Sequence, residues 1–443
     1  MIKKLHFKIQ YLFLYIKKNF IFLGLGILIG IVFYLNQDKL SILSQIKIFN
    51  YKRIGVEGLY TANNLPDEVS SLLSYGLTTI TENDKSALSV LSKSSSIKDD
   101  KNYIFEINDN FFWHNGKKLT AHDINPNIKG LGLKVIDDTH IEVIPQEFFA
   151  PLLTALSKPL FLKNLIGLGP YRLNKIEYQD GYIKKMSLVP VEKDKKTLIY
   201  NFYQNEKDLV TAYKLGQVDE IRTGELPEEI AAWTNTKITQ EIKSDQTYLA
   251  VFFNTNRIGP KQLRQALAYA TPKTKDKNER CLGPISPTSW AYNPTVKDYN
   301  YNPAKAQELF KSNGIEKINL IISDRRLLSK ADEIKTAWTD ILGIEVILNI
   351  ENQIDQENFD AVLAYGSIPN DPDQYIFWHS TQTGTNITKL TESRIDKLLE
   401  EGRQTMDPVE RKKIYIDFQR FLLEESPAIF LSYPTIYTIS RVK

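Results

Sequence analysis

The chain has 443 residues, 42% of them hydrophobic and 25% charged. That is ordinary globular composition, long enough for about two to three domains. A formal net charge of +3 gives no field of the kind that binds nucleic acid, and the single cysteine, Cys281, excludes an intramolecular disulfide.

The first elements sit at the N-terminus. Phe20 to Leu35, "FIFLGLGILIGIVFYL", carries no charge. At 16 residues it is a little short of a bilayer span, which takes roughly 18–20. Tyr34 and the snorkelling pair Lys17 and Lys18 extend it. Lys3, Lys4, Lys8, Lys17 and Lys18 precede it, and no small-x-small cleavage site follows. The reading is a cytoplasmic segment 1–18, an uncleaved transmembrane anchor 19–36, a tether 37–52 and an extracytoplasmic body beyond.

In that body Arg53–Val56 opens a strand, and "LPDEVSSLLSYGL" predicts a short helix with Asp67 near its start. "YIFEINDNFFWH" alternates as a strand, and Asn115–Gly116 signals a tight turn. Thr120 then caps a helical turn, with Asp123 placed as in a capping box. "GLGPYRLNKIEYQDGYIKKMSLVPV" predicts two strands joined at Gln179–Gly181. "EKDLVTAYKLGQVDEI" predicts a helix followed by a strand, and "TYLAVFFNTN" a strand buried on both faces. Beyond it strands and helices alternate. Asn302 and Pro303 start a helix that Gly314 ends. "INLIIS", "IEVILNI" and "FDAVLAY" are strands, and "ADEIKTAWTDILG" is a helix closed by Gly343. Asp407 and Pro408 start a long helix, and "AIFLSY" and "IYTIS" end the chain as strands. The pattern predicts an α/β body with a largely parallel sheet.

Catalytic signatures are missing. There is no G-x-S-x-G elbow, P-loop, H-E-x-x-H or C-x-x-C. His114 and His122 flank the turn and cap of "WHNGKKLTAHD", and zinc would need two further ligands. The paired carboxylates of "NDPDQY" have no partner that would define a glycosidase. The chain is read as a binding protein, with no catalytic residues, no metal ligands and no cofactor.

These segments together resemble the family 5 extracellular solute-binding proteins, the oligopeptide, dipeptide and nickel receptors of ABC importers. "SSLLSYGLTTI", "YIFEINDNFFWHNGKKLTAHDI", "GLGPYRL", "FFNTNRIGPKQLRQALAYA", "YNPAKAQELF", "DPDQYIFWHS" and the run from Asp396 to Pro434 match the family's segments in order, over about residues 53–440. The resemblance implies a bilobal, periplasmic-binding-protein-like α/β fold (type II, Venus-flytrap) with the N-terminal transmembrane helix added. Lobe 1 would take residues 53–250 with 428–443 returning to it, and lobe 2 residues 255–427. The chain would cross between lobes near Tyr248–Asn256 and Phe430–Pro434. The family's small extra subdomain, between Asp123 and Gly167, is short. No lipobox cysteine is present, so the helix would replace a lipid anchor. The W-H-N-G hairpin is scaffold in this family.

The implied function is capture of a peptide, or another small solute, for delivery to an ABC permease and its ATPase. A membrane-tethered sensor or peptide chaperone without a permease is the alternative, and a hydrolase a lesser one. Cleft residues follow from loops at strand ends. They are Asn254, Tyr365, Asp371, Asp373 and Trp378, together with Arg325 and Arg326 in "ISDRRLLSKADEI". Asp371 and Asp373 are expected to meet a cationic ligand. One of the two arginines is expected to fork onto a peptide's terminal carboxylate. Ile368 stands where peptide receptors of this family often carry an aspartate for the ligand's amino group.

Overall fold

A computed structural model describes residues 50–442 apart from 82–85, 100, 129, 311–314, 352–353 and 356–357. The expected anchor at 19–36 and the helix end at Gly314 lie outside the described residues. Among those described, no helix is long and apolar enough to cross a membrane. The chain separates into two units, Met1–Tyr51 and Lys52–Lys443, and the second unit is the body.

The body opens with β1 (Tyr51–Glu57) and the helix Asp67–Leu73. A small β-layer follows: β2 (Thr78–Ile80), β3 (Ser86–Leu88), β4 (Ser92–Lys98), β5 (Asn102–Ile107), β6 (Leu131–Val135) and β7 (His140–Pro145). Strands β4-β5-β7-β6 form one sheet. Its apolar face closes over Phe105, Trp113, Ile141 and Leu156. The W-H-N-G segment is the expected turn, with Gly116 at φ 85°. Asp123 accepts from both the N–H (3.2 Å) and the hydroxyl (3.1 Å) of Thr120, so the predicted capping box forms on a single 3-10 turn, Ala121–Asp123.

The chain then builds a seven-stranded sheet from β8 (Tyr171–Gln179), β9 (Tyr182–Pro190), β10 (Thr197–Tyr203), β11 (Glu220–Thr223) and β12 (Thr236–Ile242), together with β1 and the final strand. The β8–β9 hairpin turns at Asp180 (φ 52°) and Gly181 (φ 83°), the two positive values that a tight primed turn requires. The second sheet is β13 (Thr247–Phe253), β14 (Lys317–Ile322), β15 (Glu345–Ile350), β16 (Ala361–Ser367) and β17 (Ala428–Ser432), ordered β15-β14-β16-β13-β17. Last, β18 (Thr435–Arg441) returns to the first sheet between β12 and β11.

Helices cover both faces of the second sheet, and β13 shows why its sequence is continuously apolar. Leu249, Val251 and Phe253 pack into the core under the helices Lys261–Ala270 and Leu328–Leu342. Tyr248, Ala250 and Phe252 pack on the opposite side, with the helices Ser393–Gln404 and Pro408–Glu425. Two expectations need correction. The sheet is mixed, because β14 runs parallel to β15 and β16 while β13 is antiparallel to both β16 and β17. The proposed lobe boundaries also shift. Both β13 and β17 are integral to the second sheet, so the crossings between sheets fall at 243–246 and 433–434. A strand apolar on both faces is stable only inside a sheet covered on both sides, which places Ala428–Ser432 there as well.

Candidate functional site

Arg326 links the second sheet to elements of the first. It lies in the short turn Arg325–Leu327 after β14, at the carboxyl end of a strand, and Asp324 caps that turn by accepting the Arg326 N–H at 2.9 Å. The same carboxylate holds the guanidinium through contacts of 2.5–3.1 Å. The free edge of the fork reaches the other sheet's side. Arg326 Nη1 donates to Glu57 (3.0 Å), the last residue of β1, and to Glu206 (3.3 Å), in the first turn of the helix Glu206–Lys214.

Electrostatics define this mouth. Hydrogen bonding to Asp324 raises the Arg326 pKa above its ordinary value despite burial, with Glu57 adding to the effect. Burial raises the Asp324 carboxyl, but the Arg326 contacts outweigh it and the result is lowered. Tyr365, 47% exposed on β16, stands beside them. Burial pushes its phenol up; the field of Arg326 opposes that, and Asp324, Glu225 and Glu206 reinforce it. Three carboxylates thus meet one guanidinium, a net negative mouth.

The other expected site residues fare differently. Asp371 is 8% exposed and bound end-on by both terminal nitrogens of Arg411, at 2.8 and 2.5 Å. Asp373 accepts from Arg403 Nε at 2.8 Å and from the Tyr375 N–H at 3.1 Å; burial raises its pKa, against the Arg403 charge. Both carboxylates already have cationic partners, so neither is free for a cationic ligand. Trp378 is core: 2% exposed, packed on Phe252 and Phe430, with its indole N–H on Gln374. Ile368 lies in the same cluster. Asn254 is also buried, and its side chain accepts the Asn256 N–H at 3.1 Å to form a turn. Asp371, Asp373, Trp378 and Asn254 are corrected to structural roles. Arg325 is exposed beside Arg326. The structure places Tyr365 beside Arg326, while Asp371, Asp373, Trp378 and Asn254 have internal partners.

Glu57 and Glu206 escaped the sequence reading. Glu57 ends one strand of the first sheet and Glu206 follows another, the same strand-end signal that selected Arg326, but nothing in their own segments marks them as meeting the second sheet. A second junction lies between the small β-layer and the helix Ser393–Gln404. The Ala150 N–H donates to Arg403 O at 2.7 Å, and the Arg403 guanidinium stacks 4.0 Å from the Tyr375 ring centre and 5.4 Å from that of Phe149. His114 is part of the scaffold, its Nε2 on the Gly169 carbonyl at 2.9 Å. Among the described residues no group of three or more His, Cys, Asp or Glu could hold a metal.

Two sheets joined by paired crossings, with charged groups at their strand ends, are the architecture of an α/β binding-protein fold. The model for the bacterial extracellular solute-binding proteins, family 5 Middle, matches residues 125–387, and the chain belongs to this family. It is 24% identical over 358 residues to a di/tripeptide-binding protein of Pseudomonas aeruginosa, covering 72% of this chain and 66% of that protein, just under two thirds. It is 22% identical over 437 residues to a dipeptide-binding protein of Escherichia coli, covering 77% and 79%. Among solved structures, NikZ from Campylobacter jejuni in complex with Ni(L-His) superposes with a TM-score of 0.74 at 24% identity, over 88% of this chain and 94% of that one. Bacillus subtilis AppA in complex with a nonapeptide gives 0.70 at 20% identity, over 89% and 95%. At these identities the structural likeness establishes the fold.

Proposed function

We propose that this protein is an extracytoplasmic receptor that closes two lobes around a peptide or another small solute and passes it unchanged to an ABC permease. The observation that carries this reading is Arg326 reaching across from one sheet body to Glu57 and Glu206 on the other. A single side chain spans the gap, so the opposing loops are close enough for a small molecule to touch both. The relatives' names, peptide-binding and nickel-binding, supply the ligand classes. The chain before the first crossing forms one lobe with the final strand, the rest the other, and residues 19–36 tether the body to the membrane.

Contacts to the ligand are assigned to Tyr365, Arg325 and Arg326 on one side and to Glu57 and Glu206 on the other. The surplus of carboxylates favours a ligand that offers a positive group to this mouth, such as a peptide's amino terminus or a basic side chain. Such charge-assisted bonds are worth about 1.5–3 kcal/mol each when shielded from water. The receptor reading also accounts for the missing nucleophile–base motif.

Calorimetric titration of the purified full-length chain with short peptides and with nickel–histidine tests this directly. Saturable binding of either class, weakened by Tyr365→Ala, is the expected result. Heat from continued turnover of an injected peptide would point to a hydrolase instead.

A further inference from the structure

Away from the cleft, the segment after the helix Lys261–Ala270 folds back on β17. Between them lies a cavity of about 10 Å³, lined by Lys273, Arg280, Lys297, Asp298, Tyr299 and Phe430 among others. That is room for one water-sized particle. The charges around it do not balance. Lys273 Nζ donates to the carbonyls of Ala268 (2.5 Å) and Thr271 (2.9 Å), which leaves one of its three donors over. Arg280 donates through its terminal nitrogens to the carbonyls of Phe430 (2.8 Å), Leu431 (3.3 Å), Asp298 (2.6 Å) and Cys281. Its Nε is buried and has no hydrogen-bond partner.

Every one of these acceptors is a neutral backbone carbonyl. Asp298 turns its carboxylate to Asn300, accepting from that residue's backbone N–H at 3.2 Å and from its side-chain amide. The Lys297 ammonium sits 4.6 Å from the centre of the Tyr299 ring. Burial, followed by the Arg280 and Lys330 charges, pushes the Lys273 ammonium well below its ordinary value, with Asp298 opposing. A buried cation is retained where a partner neutralises it. Here Lys273 and Arg280 line one cavity, and the buried Arg280 Nε–H has no hydrogen-bond partner.

We propose that this cavity binds one small monovalent inorganic anion of chloride's size, held by Lys273 Nζ and Arg280 Nε. The volume leaves no room for sulfate or phosphate. The anion would tie Lys273 to Arg280 within the segment 271–282, and Arg280 is itself bonded to the β17 carbonyls of Phe430 and Leu431. That segment is already tied to the strand through Arg280, and to the chain crossing through the Tyr433 N–H on Glu279 O at 2.7 Å. The site therefore strengthens the support of the second crossing between the sheets, and the proposal does not depend on which solute the cleft takes.

Two measurements on the intact protein decide it. Crystals grown in bromide are expected to show an anomalous peak beside Lys273 and Arg280. The thermal midpoint is expected to rise saturably when chloride or bromide replaces gluconate at fixed ionic strength, and to stay unchanged with sulfate. Lys273→Met should abolish the halide-dependent part of the shift. If that variant does not fold, the wild-type titration and the wild-type anomalous map remain decisive together. An ordered water without anomalous signal, a midpoint indifferent to halide, or a bromide peak with no stabilisation (an adventitious ion only) each overturns the proposal.

Discussion

Asp371 and Arg411 lie 40 positions apart and are both nearly removed from water. Burying two charges is costly, and two parallel contacts offset that cost only while both partners are present. Arg411→Met should therefore destabilise the protein by about 3–5 kcal/mol, because it leaves a buried carboxylate unpaired. The double variant Asp371→Leu/Arg411→Met should lose much less. Urea unfolding of the two variants checks this; equal losses would mean that packing, not charge, holds the site. His114 supplies a pH dependence. Burial lowers its pKa, with the Gly169 carbonyl bond opposing. Below about pH 6.5 the unfolded chain therefore holds more protons on this ring than the folded one. Its contribution is fully present above that value and is lost as pH falls toward the folded pKa. Between about pH 7.5 and 5.5 the urea midpoint of the wild type should fall further than that of His114→Gln, which keeps a donor for Gly169 and does not titrate.

At the scale of elements, local chemistry was legible and long-range pairing was not. Asp407 caps its helix by accepting the Val409 and Glu410 N–H groups, and Gly343 closes another at φ 71°; both follow from neighbours in sequence. The direction of β13 and β17 was not readable, because it depends on which distant strand each one meets. The same limit hid the arginine partners of Asp371 and Asp373, and so two paired carboxylates looked like ligands. The G-L-G-P-Y stretch was recognised by resemblance, and packing gives its reason. A Cβ on Gly167 or Gly169 would collide with the carbonyls of Leu73 and Leu72 at the end of the first helix. Gly167→Ala should cost about 1–3 kcal/mol through overpacking, read as a lowered thermal midpoint, whereas Gly216→Ala meets no neighbouring atoms and is burdened only by its positive φ. Strand β18 pairs along its whole length with β12 and also with β11. Truncation after residue 434 leaves two edges open, and the first sheet should lose its protection from hydrogen exchange.

For the whole molecule, the Arg326 guanidinium links elements of the two sheets. Its side chain is 45% exposed, and exposed ion pairs are worth only about 0–1 kcal/mol each. The bridge can thus bias closure without locking it, as the proposed receptor role requires. Arg326→Ala should enlarge the radius of gyration of the ligand-free protein in small-angle scattering; no change would mean that other contacts set the closure. The central claim, that the space between the two bodies holds a solute which leaves intact, is tested most directly by native mass spectrometry of the purified full-length chain after incubation with a defined pool of short peptides. The account predicts one intact peptide bound per chain, with retention reduced by Tyr365→Ala. Peptides that are never retained, or that reappear cleaved, would contradict it.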